Sequence, residues 1–249
     1  MKQNVLITGA SGRIGRCITR ELRQQYDFVL TDVRALDETY GFPFTEADLA
    51  DMAAIRPLFD NIHTVIHLGA DPRTTAPWET LLPSNIIGTY NVLQAAHEAG
   101  CQRVIFASSV NAVSGYPREL QVTLDMPVRP PNLYGATKVW GEAAARYYAD
   151  QLGLSCFCLR FGWVVASDNP HIQPGNSMLD IVLTYDDLVR LMVACLAAPP
   201  DVHFGIFHAL SNNRHNRLDI SETRRLLGYE PQDDAFAIAQ KRTADEATT

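Results

Sequence analysis

The chain has 249 residues, 47% of them hydrophobic and 20% charged, which suits one large α/β domain or one domain with a small appendage. Its formal net charge of −7 argues against a nucleic-acid or anionic-membrane surface, because such partners attract clustered Lys and Arg. No run is long and apolar enough to span a bilayer, and the first residues lead straight into an apolar run without space for a signal peptide, so a cytoplasmic protein is expected.

Cys17, Cys101, Cys156, Cys158 and Cys195 lie scattered in apolar surroundings, with no C-x-x-C pair. They read as small core residues in a reducing compartment, Cys156 and Cys158 sharing one face of a buried strand. The seven histidines have no metal-ligand spacing, so no metal is expected.

In chain order, apolar runs alternate with helical patterns. Residues 5–7 read as a buried strand and 13–24 as a helix with Ile14, Ile18 and Leu22 along one face. Strands follow at 28–31, 65–68, 104–107 and 157–160, and a short one just before Asp48. Between them fall helices at 52–59, 85–98, 135–151 and 185–197. Continuous apolar strands alternating with helices predict a doubly wound parallel sheet, the Rossmann type of α/β fold. The regularity weakens past residue 164. "SDNPHIQPGNS" at 167–177 is a polar loop, a short strand spans 205–208, and a helix from Asp219 carries Leu226 and ends at Gly228. The expected organisation is a dinucleotide-binding unit at 1–164, a small substrate-binding lid at 165–240 and a frayed polar tail at 241–249 within one structural unit.

The first strand runs into "TGASGRIG". Gly9, Gly12 and Gly15 permit the tight turn, the close approach of a pyrophosphate and close helix–strand packing, while the helix N-terminus offers free N–H groups to phosphates. Ser11, Arg13 and Ile14 belong to the same loop. Asp32 ends the second strand, 17 residues after Gly15 and 23 after Gly9. A carboxylate there accepts hydrogen bonds from the adenosine ribose and repels a 2′-phosphate, favouring NAD over NADP, with Arg34 as a possible offset. Asp48 and Leu49 follow the short third strand, within reach of an adenine amino group. Leu68, Gly69 and Ala70 end the fourth strand with residues small enough for backbone to pass beside the cofactor.

The fifth strand ends in Ala107-Ser108-Ser109-Val110-Asn111, at the sheet edge where ligands lie in open α/β folds. "LYGATKVWGE" then places Tyr134 and Lys138 four residues apart, on one face of a helix. A neighbouring ammonium favours the phenolate, which predicts that Lys138 lowers the phenol's pKa and that Tyr134 exchanges a proton with a substrate hydroxyl. Ser109 would hold the substrate oxygen. Glycine loop, Asp32, Ser109, Tyr134 and Lys138 together describe hydride transfer between a nicotinamide and a carbinol carbon.

These motifs, with Asn85-Ile86-Ile87-Gly88-Thr89 and the closing Leu227-Gly228-Tyr229-Glu230-Pro231, resemble the extended short-chain dehydrogenase/reductases, the NAD-dependent epimerase/dehydratase group. Within that group "NIIGTYNVLQAA", "RVIFASS" and "LYGATKVWGE" look most like the uronate dehydrogenases, which oxidise a hexuronic acid at C1 to a lactone with NAD. The resemblance implies Ser109, Tyr134 and Lys138 as catalytic residues, Asn85 as a support of the active-site architecture and Phe161 beside the nicotinamide. It also implies a homodimer built on the helices at 85–98 and 135–151, acting on a small sugar or sugar acid. The chain departs from the uronate pattern in two places. Val110-Asn111 stands where Asn-His is usual, and Asn176-Ser177 precedes Met178-Leu179 where an arginine holds the carboxylate. A neutral sugar or a differently held acid therefore stays open, with Arg73, Thr74, Ser109 and Asn111 as substrate candidates and a solvated loop arginine as the alternative for Arg73. A nucleotide-sugar epimerase, dehydratase or reductase is the competing enzyme reading, and a non-catalytic dinucleotide sensor a third.

Overall fold

The computed structural model describes residues 2–246. Seven strands form one sheet: β1 (Asn4–Thr8), β2 (Asp27–Asp32), β3 (Phe44–Glu46), β4 (Thr64–His67), β5 (Arg103–Ser109), β6 (Ser155–Phe161) and, later in the chain, β9 (Phe204–Ala209). Their order is β3-β2-β1-β4-β5-β6-β9, and every neighbouring pair is parallel. Alternate residues of each strand feed two cores. Val5, Ile7, Ile105, Phe157 and Leu159 enter one with Ile18 and Leu22, whereas Leu6, Val65, Val104, Cys156 and Cys158 enter the other with Val92 and Ala145. Burial on both faces explains why these strands read as unbroken apolar runs. The chain leaves β1 toward β2 and β3, then returns to place β4 on the other side, and that reversal opens a crevice beyond the carboxyl ends of the strands.

The helices on the two faces are α1 (Arg13–Leu22), α2 (Met52–Ile55), α3 (Trp78–Leu81), α4 (Gly88–Glu98), α5 (Leu133–Leu152) and α6 (Tyr185–Ala197). The predicted helix at 85–98 begins earlier than its pattern suggests. It opens at Trp78 and passes through a π-helical stretch at Leu82–Ile87, where Gly88 N–H reaches back to Pro83 O. Pro83 lacks an N–H for the ladder, and the wider turn accommodates it.

Beyond residue 162 the chain adds a small parallel pair, β7 (Trp163–Val165) and β8 (Val182–Thr184), which sequence patterning did not reveal. β9, within the segment expected to form the lid, joins the edge of the main sheet. α7 (Ser221–Leu227) ends at Gly228, whose φ of 63° is the expected left-handed cap. α8 (Ala235–Glu246) continues helically through 241–246, where the sequence suggests a frayed tail; residues 247–249 of that tail lie outside the described residues. Its Ala235 and Ala239 pack on Val165, Ile172, Leu179 and Val182, so apolar burial rather than local polarity decides its conformation.

Candidate active site

A cavity of about 810 Å³ runs along the carboxyl edge of the sheet. It is lined at one end by Gly9, Gly12, Arg13, Ile14, Gly15, Asp32 and Arg34, in the middle by Asp48, Leu49, Leu68, Gly69 and Ala70, and at the other end by Asp71, Arg73, Thr80, Ser109, Tyr134, Lys138, Phe161 and Trp163.

The first end is made largely of backbone. Gly9 has φ 71°, and a Cβ there would stand 2.6 Å from Gly69 N. A Cβ on Gly15 would meet Gly9 O and Ala10 Cα at 2.7 Å, so the turn and the start of α1 require glycine. A Cβ at Gly12, by contrast, has only Gly9 O nearby, at 3.2 Å, and the residue borders the cavity. Asp32 is buried, with Oδ2 accepting Ser11 N–H at 3.0 Å and Oδ1 accepting Arg34 N–H at 3.1 Å. Ser11 thereby orients the acid, and its own hydroxyl donates to Arg34 O instead of facing the cavity. A carboxylate has about four acceptor positions, so Asp32 keeps capacity for ribose hydroxyls. The Arg34 guanidinium lies 3.6 Å from Asp32, largely exposed. Asp48 also borders the cavity and caps the following turn by accepting Ala50 N–H. Glycine cradle, buried acid and helix N-terminus fit a dinucleotide with its pyrophosphate over α1.

At the other end, α5 brings the reacting groups together. Asn132 caps the helix by accepting Gly135 N–H at 2.7 Å, and its Nδ2 donates to Asn111 Oδ1. Asn111 N–H and Nδ2 both donate to Ser109 Oγ, at 3.1 and 3.2 Å. With its oxygen thus occupied, the Ser109 hydroxyl keeps its proton to donate to a further partner, and Ser109 acts on the Tyr134 phenol to hold its pKa down. Asn111 is therefore a brace between β5 and the cap of α5 rather than a residue of the cavity wall.

Lys138 is buried, its Nζ 5.7 Å from the centroid of the Tyr134 ring and 5.0 Å from that of Phe106. Burial lowers its pKa from 10.5 to about 8, so most of it is protonated at neutral pH. The expected lowering of the phenol does not appear. Burial raises Tyr134 above its ordinary value, neighbouring Ser109 opposes the rise, and the charge of Asp71 adds to it. Desolvation is the largest of these effects in the protein alone.

Asn85 lies in the π-helical stretch and borders no open space. Its Oδ1 accepts Asp71 N–H at 2.8 Å, and its Nδ2 donates to Asp71 O and Thr137 Oγ1. It ties the loop after β4 to α5. Thr74 is exposed and stands apart from the cavity lining. Arg73 does reach the cavity, with Nε and Nη2 donating to Asp71 at 3.0 and 2.6 Å.

Sequence reasoning missed Asp71 and Thr80. Asp71 accepts from Arg73 and from Thr80 Oγ1 at 2.7 Å, and these partners hold its carboxyl well below the usual range. The only signal for Asp71 was its position after Gly69 and Ala70, the small residues that follow β4. His67, the last residue of β4, is wholly buried between Thr8 Oγ1, at 2.8 Å, and Thr89 Oγ1, at 3.2 Å, and burial lowers its pKa to about 3. Among the described residues, no group of three or more His, Cys, Asp or Glu side chains is placed to hold a metal ion.

Comparison with known proteins agrees with this geometry. Residues 5–185 match the model of the NAD dependent epimerase/dehydratase family. An NAD-dependent glucose-6-phosphate dehydrogenase of Haloferax volcanii is 34% identical over 94% of this chain and 95% of its own. A uronate dehydrogenase of Pseudomonas putida is likewise 34% identical, over 92% of this chain and 84% of its own. Among solved structures, a tyrosine-to-alanine mutant of the Agrobacterium tumefaciens uronate dehydrogenase, complexed with NAD, superposes with a TM-score of 0.87 at 31% identity, covering 98% of this chain and 90% of the other. By motif, fold and site, the chain belongs to the NAD dependent epimerase/dehydratase family.

Proposed function

We propose that the protein oxidises the C1 hydroxyl of a free sugar or sugar acid to a lactone, using NAD and Tyr134 as general base. The observation that carries the reading is the convergence of Ser109, Tyr134 and Lys138 on a cavity whose far end is the glycine loop and Asp32. NAD, when bound, supplies the acceptor for the hydride leaving C1. Asp32 accepts from the ribose and disfavours a 2′-phosphate, with Arg34 already drawn to Asp32. Ser109 Oγ orients the sugar oxygen, and the phenolic oxygen of Tyr134 takes its proton. Lys138, charged near neutrality, stabilises the phenolate form of Tyr134 that accepts this proton and becomes the neutral phenol. Because the phenol starts above its ordinary value, oxidation accelerates as pH rises.

Arg73 is the substrate contact we assign at the mouth. Asp71 fixes its Nε and Nη2 and leaves the Nη1 edge of the fork for a carboxylate, phosphate or hydroxyl oxygen. The relatives include enzymes named for glucose 6-phosphate and for uronates, so both classes belong in the test. NADH absorbance should rise with D-glucuronate, glucose 6-phosphate or L-arabinose under NAD and far less under NADP. No NADH from any aldose or uronate would refute the reading.

The same reading places the enzyme in the cytoplasm, where its five buried thiols stay reduced, and makes it a homodimer. Support for the dimer is the exposed Ile87, Tyr90 and Tyr147 on adjoining parts of the 82–98 stretch and α5. Sedimentation velocity should give twice the chain mass and, for Tyr147→Arg, a monomer.

A further inference from the structure

α5 is fastened to the sheet twice. Asn132 makes the first tie, at its N-terminus, through Asn111 to Ser109. The second lies nearly three turns on, at Glu142. Tyr134, Lys138 and Glu142 follow at intervals of four and share one helix face. Glu142 is buried and accepts Ser108 Oγ at 2.6 Å, while its two oxygens take Nε and Nη2 of buried Arg160, each at 2.8 Å. Ser108 and Arg160 are register partners on β5 and β6. The next pair in that register is Ser109 and Phe161, both on the cavity wall. Glu142 therefore holds, from the helix that carries Tyr134, the residue immediately before each of two site residues. Between the two ties, Gly141 lets α5 lie against Phe106, because a Cβ there would collide with the ring.

Stability alone is a poor reason for this arrangement. A buried ion pair is often no better than apolar side chains of similar volume. Here the pair also leaves polar atoms unspent: Nη1 of Arg160 and Nε2 of His208, the register neighbour of Arg160 on β9, are buried with no hydrogen-bond partner among the described residues. Such atoms cost free energy. What the pair supplies instead is orientation, since a two-pronged carboxylate–guanidinium contact fixes angle as well as distance.

We infer that Glu142 and Arg160, with Ser108, are positioning residues that set the placement of the Tyr134 phenol against Ser109 and the ring of Phe161. The inference rests on the proposed function for what that placement does. If it holds, loosening the second tie moves the phenol out of its placement beside Ser109, which favours its ionisation, and the phenol becomes harder to ionise.

The test replaces the pair by apolar residues of similar volume, Glu142→Leu with Arg160→Met, in the full chain. The first readout needs no substrate: the titration of Tyr134, followed by NMR in protein labelled with 13C at tyrosine Cζ and saturated with NAD. The expected result is a rise in the Tyr134 pKa of about half a unit or more, with melting temperature and NAD affinity retained. A Tyr134 titration that coincides with that of the parent in a folded double variant overturns the inference. Turnover gives the second readout, using whichever of D-glucuronate, glucose 6-phosphate or L-arabinose the parent oxidises. The expected result there is a kcat lower by about tenfold with KM unchanged. Should the double variant fail to fold, Ser108→Ala decides by the same titration, since it removes a single hydroxyl. The failures are separable: a Tyr134→Phe variant that still turns over refutes the proposed function, whereas an inactive Tyr134→Phe beside an unaltered pair variant refutes only the positioning role.

Discussion

The two ends of the cavity are built from different materials. The dinucleotide end is backbone: a glycine turn with φ 71° at Gly9, the N-terminus of α1, and one buried acid aligned by the Ser11 and Arg34 amides. The substrate end is side chain upon side chain, with Asp71 gripping Arg73, Thr80 bonded to Asp71, and Asn111 bracing Ser109. Backbone geometry admits few residues at each position, so the first end tolerates little substitution. Side-chain networks can be rebuilt around a different ligand, and that is where relatives with different named substrates have room to diverge.

Substitutions at either end sharpen this contrast. The largest effect is expected from Gly9→Ala, which places a Cβ against Gly69 N in a left-handed conformation. NAD affinity should fall by about a hundredfold or more in a fluorescence titration, or the variant should not fold. Next, Asp32→Ala should weaken NAD by about tenfold and narrow its advantage over NADP, because the repulsion of a 2′-phosphate goes with the carboxylate. At the other end Arg73→Ala should raise KM by about tenfold while kcat and NAD affinity stay near those of the parent. An unchanged KM would return Arg73 to the solvent.

A further effect, read in stability and not in turnover, lies beneath both ends. Burial holds His67 at about 3, below its ordinary 6.5, so the unfolded chain binds a proton that the folded one refuses between those values. Stability should thus fall as pH drops from about 6.5 toward 3, at up to about 1.4 kcal/mol per pH unit from this group. His208, lowered to about 4, adds to the same slope. His67→Gln should flatten the dependence of urea midpoints on pH by about one proton at most.

The same contrast explains what could be read in advance. Gly9, Gly12, Gly15 and Asp32 work within one strand–turn–helix–strand segment, so spacing alone discloses them. The fourfold interval of Tyr134 and Lys138 disclosed the reacting pair for the same reason. Glu142 continues that interval, yet its meaning depends on Ser108 and Arg160, and only strand pairing brings these beside it. Asp71 and Thr80 were silent because Pro83 interrupts the helical pattern through which Asn85 organises their loop. β7 and β8 are three residues each, too short for periodicity, and α8 owes its helix to the apolar surface it covers.

The most direct test of the account is Tyr134→Phe, assayed for NADH production and for NAD binding in the same preparation. Loss of the phenolic oxygen removes the proton acceptor and leaves the glycine turn and Asp32 intact. Turnover should drop by about a thousandfold or more, with NAD affinity within about threefold of the parent. A Tyr134→Phe variant that oxidises sugar at the parent rate would contradict the claim that this tyrosine carries the proton.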